Sequence, residues 1–349
     1  MQGEPLKEGT AVARDFQSWW QRRLAWHAMN YPIPAIANRL PYFFGGVTLC
    51  GILIQIASGI YLAQYYNPDP LSAHTSVIYI VERSWLGDFA RSLHAWSANL
   101  VLVTVALHLL WVFWRGSYKN PREITYWAGV VMLGVLFFFH FTGTVLKNDQ
   151  EAVEALAHNV AAANLTGFLG RVLTPDFTPS VPLVTRFYSL HVSALPLALI
   201  ALLGLHLWLI RHLDIHTHPN EPQSGSHFLA HARKLAGLGF LAFALAGLLA
   251  VFLPASLGPE GIPGMEMTKP PFFFLWIYAL ENFLGTRALA ILPPFIYLLF
   301  FLPPLLDRKA SAEPGDRKLT LALGFGLILL LVGLALYAKL APAQQHLGM

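Results

Sequence analysis

RSLHAWSANLVLVTVALHLLW (Arg91–Trp111) and RFYSLHVSALPLALIALLGLHLWLIRH (Arg186–His212) are long apolar stretches, each carrying two histidines: His94 and His108 in the first, His191 and His206 in the second. At 3.6 residues per turn, separations of 14 and 15 residues return each pair to nearly one helix face, about 21 Å apart along the axis. Each helix therefore presents two imidazoles on one stripe, at two depths. If the helices are parallel neighbours, the four histidines make two stacked His–His pairs, an arrangement that would clamp two haem irons across a membrane. Two imidazoles per iron leave no open position, which favours electron transfer over oxygen chemistry.

Composition sets the environment. Of the 349 residues 55% are hydrophobic and only 12% charged, mean hydropathy is +0.51, and several apolar runs exceed the roughly 20 residues that cross a bilayer core. The fold class expected is all-α and polytopic: a four-helix di-haem bundle followed by three further transmembrane helices, about seven spans. The net charge of +4 is spread between spans, which argues against nucleic acid as a partner. The single cysteine, Cys50, lies in an apolar run, so neither a disulfide framework nor a cysteine metal site is available, and no CxxCH offers a c-type haem attachment. The N-terminal segment lacks the apolar core of a cleaved signal peptide.

Along the chain, residues 1–40 read as an N-terminal interfacial segment, with Trp19, Trp20 and Trp26 interleaved with Arg22 and Arg23 as in a helix lying on anionic lipid. Residues 41–212 form the four-span histidine domain, with spans near Pro41–Tyr65, Leu86–Trp114, Ile124–Leu146 and Pro182–Arg211 and an amphipathic surface excursion over residues 147–182. Residues 213–234 are a polar loop. Residues 235–349 hold three spans, near Leu235–Leu253, Leu280–Leu305 and Leu319–Leu340, with a Pro- and Gly-rich loop after the first. Lysines and arginines concentrate in the N-terminal arm and the 115–122, 211–234 and 308–318 loops. These share one side under seven-span alternation, and the positive-inside rule makes that side cytoplasmic, in a bacterial-type inner membrane. The two histidine helices then run the same way, with His94 and His191 at the outer level and His108 and His206 at the inner one.

A histidine in a membrane span is costly unless it faces a partner or cofactor, and four at matched depths point to metal. Glycines repeat the interval: Gly45 and Gly59 in the first span, Gly129 and Gly143 in the third, small residues where porphyrin edges would press on helix backbones. Arg91 and Arg186 stand just before the outer histidines, and Arg115, Lys119 and Arg122 just past the inner end, positioned for haem propionates or, for the inner set, for topology alone.

With RSLHAWSA, NPREITYWAG, TGTVLKNDQ, TRFYSLH and the final three-span block, the chain resembles cytochrome b, the haem subunit of bc-type quinol oxidoreductases, over about Leu40–Leu340. The spacing of the second histidine pair is similar to that of the photosynthetic b/f branch, here with a subunit-four-like half fused on. The resemblance implies two haem b groups, the outer held by His94 and His191 and the inner by His108 and His206. It implies quinol as substrate, an outer quinol site and an inner quinone site. Its partners would be a Rieske iron–sulfur protein and a c-type cytochrome in a multimeric complex within membrane lipid.

Departures matter as much. The position that tethers an extra haem in the photosynthetic branch is Phe43, so no covalent haem is expected, and Cys50 reads as a packing residue. The Pro-Glu-Trp-Tyr motif of the outer quinol site is replaced by Pro270, Pro271, Phe272 and Phe273; proline cannot accept the proton that the motif's glutamate takes. An apolar pocket of Phe272, Phe273, Phe274 and Tyr278 could still hold a quinone head, with Glu281, Glu266 or Asp149 as the proton acceptor. Asn148 stands where the family has tryptophan. On the inner side Arg211, His212 and Lys234 could hold a quinone or be a solvated loop, and His212, His216, His218, His227 and His231 lack the fixed spacing of a metal site. Two other functions stay open: an electron conduit for another membrane redox enzyme, and a haem-free proton-transport or structural subunit.

Overall fold

The computed structural model describes Trp19, Arg23 and residues 30–219, 221–222 and 225–347. Of the expected interfacial segment, residues 1–40, the part before residue 30 lies outside the described residues apart from Trp19 and Arg23, both helical, with the Arg23 guanidinium 5.6 Å from the Trp19 ring centre. In chain order the helices are α1 (Phe44–Ala63), α2 (Ala73–Glu82), α3 (Gly87–Arg115), α4 (Glu123–Val145) and α5 (Gln150–Leu165). Next, α6 (Leu183–Ser189) continues through a π-helical turn (Leu190–Ala194) into α7 (Leu195–Leu213). The remainder are α8 (Phe228–Phe252), α9 (Leu275–Leu284), α10 (Arg287–Leu299), α11 (Pro303–Leu306) and α12 (Lys318–Leu340).

Among the described residues six helices are long and apolar enough to cross a bilayer. Their outward faces carry exposed Leu53, Ile60, Leu107, Leu197, Leu205 and Leu329, as expected where the surrounding solvent is hydrocarbon. The first four spans pack as two pairs, α1 with α3 and α4 with α7. The two histidine helices thus belong to different pairs and face each other across the seam. The core of this bundle, Ile52, Val101, Leu102, Met132, Leu136 and Leu199, lies midway in sequence between the two histidine levels and forms an apolar layer separating them.

Two boundaries depart from expectation. The anticipated span Leu280–Leu305 is not continuous: the chain turns at Gly285, whose φ of +75° suits glycine, then forms α10 with Pro293 and Pro294 inside it and α11 after a break at Phe300–Leu302. α9 therefore precedes the crossing as a separate helix. The fifth span begins at Phe228 instead of Leu235, because β2 (Gly225–His227) pairs antiparallel with β1 (Pro32–Pro34) and feeds directly into it. That ladder, with Asn38 Nδ2 donating to Ser226 Oγ at 2.7 Å and Tyr31 stacked on Phe228, fastens the arm before the first span to the connector. A helix, α2, also occupies part of what reads as a plain polar loop.

Near the same end, Asp307 and Arg317 form a buried ionic knot. Tyr118 Oη donates to Asp307 Oδ2 at 2.5 Å and Lys119 Nζ to Oδ1 at 2.6 Å. Arg317 donates to Tyr118 Oη and the Phe113 carbonyl. Removing one member of such a buried set costs about 3–5 kcal/mol, since the rest stay desolvated. Burial pushes the Tyr118 phenol above its ordinary range, keeping it a donor.

Candidate functional site

The four histidines occur at two levels. At one, the His94 and His191 rings have centroids 6.4 Å apart, inclined by 57°. Two imidazoles on opposite sides of one ion would sit about 6 Å apart by centroid, given metal–nitrogen bonds of ~2 Å and ~1 Å from each nitrogen to its ring centre. Ser58 Oγ lies 2.9 Å from His94 Nδ1 and Thr142 Oγ1 2.8 Å from His191 Nδ1. Both hydroxyls already donate to carbonyls of their own helices, Ile54 and Phe138. They must therefore accept from Nδ1–H, which leaves Nε2 of each histidine with a lone pair for a metal, the orienting role that outer partners play around metal-bound imidazole. At the other level His206 Nδ1 donates to the Thr125 carbonyl at 2.9 Å, while His108 Nδ1 is buried with no partner among the described residues.

The glycines back these rings. A Cβ on Gly45 would lie 3.0 Å from His108 Cε1, on Gly59 3.4 Å from His94, on Gly143 3.3 Å from His191 and on Gly129 3.6 Å from His206. Each of the four glycines thus meets one of the four imidazoles, where porphyrin edges were expected. The hydroxyls escaped the sequence reading, although each stands directly before a glycine, in Ser58–Gly59 and Thr142–Gly143.

The unequal spacing also has a cause. Fourteen α-helical residues fall about 40° short of four full turns, and a fifteenth would overshoot by about 60°. The π turn at Leu190–Ala194 contains His191 and absorbs one residue, so 15 residues there behave as 14. Both histidine stripes keep one geometry.

The arginines nearest the histidines have other partners. Arg91 donates to the carbonyls of Ala255 and Ser256, and Arg186 to those of Val172 and Thr174, with its Nε buried and without a partner among the described residues. Arg122 donates to the Leu213 carbonyl at 2.6 Å. Arg211 lies 4.1 Å over the Tyr31 ring, and His212 Nδ1 bonds the Trp208 carbonyl. Propionate binding by Arg91 would compete with loop carbonyls. Of the connector histidines, His216 and His218 lie together with ring centroids 5.3 Å apart, bonded to Ser117 and Glu313 respectively, while His231 stacks on the Phe43 ring. Burial, then Arg122, holds His216 down at about 4. Cys50 fills the space left by Gly239 of α8, a packing role.

The loop between α8 and α9 is pinned by α5. Asp149 caps α5 through Ala152 N at 3.0 Å, accepts Gly258 N at 3.1 Å and pairs with Lys147. Asn148 adopts φ +51°, a backbone that asparagine tolerates, and bonds the Pro70 carbonyl. Glu154 accepts the amides of Met267 and Thr268. Asp149 is thus committed to structure, against the expectation that it takes a proton.

The expected aromatic pocket divides. Phe273 and Phe274 flank His140 of α4, at centroid distances of 5.8 and 5.5 Å, and His140 Nε2 is buried without a partner among the described residues. Phe272, beside Pro270 and Pro271, is exposed. Tyr278 turns away: its hydroxyl accepts from Gln344 N at 2.7 Å, and its ring meets His346. Glu281, 2% exposed, faces His158 and His346 and not the phenylalanines, so Tyr278 and Glu281 do not join Phe272–Phe274 in one pocket. Burial pushes the Glu281 carboxyl above the usual carboxylate range, against the pull of His158. Glu266 accepts both His346 N and Leu347 N. His140, an isolated histidine in an aromatic run, gave no spacing signal.

A helical membrane bundle with histidines at two levels, each ring backed by glycine and one pair face to face, is the arrangement expected of membrane haem proteins that carry single electrons. Comparison agrees. The family model described as Cytochrome b/b6/petB matches residues 28–214. The cytochrome b subunit of a cytochrome bc complex from Chlorobaculum thiosulfatiphilum is 31% identical over 85% of this chain and 73% of its own. A Bacillus subtilis menaquinol:cytochrome c reductase cytochrome b subunit is 39% identical over 50% of this chain and 80% of its own. The chain belongs to the cytochrome b family, b-haem proteins of multi-pass membrane topology. A solved structure titled "Hyperthermophilic respiratory Complex III" shares the fold, with TM-score 0.77 and 22% identity over 93% of this chain and 92% of that one.

Proposed function

We propose that the chain is the two-haem cytochrome b subunit of a quinol:cytochrome c oxidoreductase, with a Rieske iron–sulfur protein and a c-type cytochrome as partners. The observation that carries this is the His94/His191 pair, at an iron-bridging separation with both Nδ1 protons already accepted by hydroxyls. His94 and His191 would hold one haem, His108 and His206 the other, in residues 41–212. Residues 213–234 connect this unit to the three-span unit of residues 235–349. When bound, bis-imidazole haem carries single electrons and binds no oxygen. The apolar layer around Leu102 and Leu136 holds the two levels apart and keeps water out between them.

The basic side, with the N-terminus, faces the cytoplasm of a bacterial-type inner membrane. A quinol head group fits against Phe272–Phe274 on the opposite side. With proline at 271, the base facing this site is His140 Nε2, which takes a proton from the quinol hydroxyl. Arg211 and His212 border a quinone site at the cytoplasmic end.

Pyridine haemochrome analysis of the purified complex should give two b haems per chain, and quinol should reduce added cytochrome c. One haem or none would remove the ligand assignment. His140→Ala should slow quinol oxidation at least tenfold with both haems retained. Two haems without any quinol:cytochrome c activity would instead leave the chain as a conduit for another redox enzyme, the reading favoured by the missing glutamate.

A further inference from the structure

The second cluster of ligating side chains lies where α5, α9 and the segment after α12 meet. His158 comes from α5, Glu281 from α9 and His346 from that segment, and one ligand atom of each falls within 4.8 Å of the others. His158 Nε2 is 3.4 Å and His346 Nδ1 3.8 Å from Glu281 Oε2.

Three facts make this more than proximity. First, both rings are oriented from behind. His158 Nδ1 bonds the Glu154 carbonyl at 2.9 Å, and His346 Nε2 bonds Asn282 Oδ1 at 2.8 Å. Both partners are acceptors, so both protons sit on the far nitrogens, and the near nitrogens carry lone pairs. Second, those near nitrogens and Glu281 Oε1 are buried with no hydrogen-bond partner among the described residues. The two imidazole lone pairs face the Glu281 carboxylate, whose Oε2 lies 3.4 Å from one and 3.8 Å from the other, and neither nitrogen has a donor among the described residues, an arrangement that costs free energy unless a cation or protons fill it. Third, two carboxylates are buried there, with side chains 2% exposed for Glu281 and 5% for Glu266, and the imidazoles are their only ion-pair partners among the described residues.

We propose that His158 Nε2, His346 Nδ1 and the Glu281 carboxylate bind one divalent transition-metal ion, Zn²⁺ by donor type, which ties the segment after α12 to α5 and α9. Two imidazoles and a carboxylate are an established zinc set, and bonds of 2.0–2.2 Å at tetrahedral angles put ligand atoms about 3.3 Å apart, against 3.4 and 3.8 Å from the two imidazole nitrogens to Glu281 Oε2. Glu266 Oε1 lies 3.7 Å from His158 Nε2 beside this set, and its carboxylate accepts His346 N and Leu347 N, which holds the segment that carries His346. The site is independent of the haem and quinol assignments.

The test is zinc titration of the chelator-washed complex, with stoichiometry by elemental analysis and ligands by X-ray absorption at the zinc edge. Wild type should bind one Zn²⁺ per chain at this site through two imidazoles and oxygen. His346→Ala and His158→Ala should each weaken this binding at least 100-fold, and Asn282→Ala, which only frees the His346 ring, by about tenfold. The haem spectrum reports whether each variant is folded. A His216→Ala/His218→Ala double variant should retain the site, excluding the connector histidines as its source. The proposal is overturned if folded His158→Ala, His346→Ala and Asn282→Ala all bind zinc like wild type, or if wild type binds none, in which case protons fill the cluster.

Discussion

The two histidine levels share a plan but are held differently. At the His94/His191 level both rings hydrogen-bond to a hydroxyl on the helix packed behind them, Ser58 for one and Thr142 for the other. At the His108/His206 level one ring donates to the Thr125 backbone and the other has no Nδ1 partner among the described residues. A backbone carbonyl cannot be mutated away, and a missing bond cannot be lost. Only the first level therefore has a ring orientation that depends on replaceable side chains.

Ligand removal should break the comparison most. His94→Ala should abolish one haem and leave the other, reducing the haemochrome yield from two per chain to one; His206→Ala should do the same for the second level. Loss of both from either variant would show that the levels form one folding unit. Next in size, Ser58→Ala and Thr142→Ala should weaken haem retention at the first level about 10- to 100-fold and shift the midpoint potential of that haem alone. Redox titration, which resolves the two haems, reads this directly. The smallest contrast lies within the second level. Gly45→Ala places a methyl 3.0 Å from His108 and should lower haem occupancy there, whereas Gly129→Ala, 3.6 Å from His206, should leave it unchanged. Equal effects from both would mean that the helices shift to accommodate either side chain.

Most of the bundle was legible in the chain because hydrocarbon imposes length and polarity so strongly. Spans near Leu86, Ile124 and Leu319 begin within one residue of expectation. Where polar backbone reaches the interface, prediction weakened: α8 starts seven residues early (228 against 235) since a short ladder feeds it, and the broken sixth span follows from a glycine turn that apolar content hides. The histidine pairs were readable from spacing, a local quantity. What held them was not, because Ser58 and Thr142 act across helices. The arginines illustrate the converse: Arg91 and Arg186 look available in sequence, yet their terminal guanidinium nitrogens donate to loop carbonyls, for Arg91 from a segment more than 160 residues away. His158, Glu281 and His346 gave no signal as a group, since only tertiary folding brings them together.

The π turn at His191 bears on how lengths are compared between relatives. An extra residue taken up within one turn leaves everything after it in phase, so an insertion here is recorded by the backbone and concealed from the two imidazoles. Chains that differ by one residue between these histidines can then be superposable at both rings, and a difference in residue count between His191 and His206 is no measure of a difference in how those rings are placed.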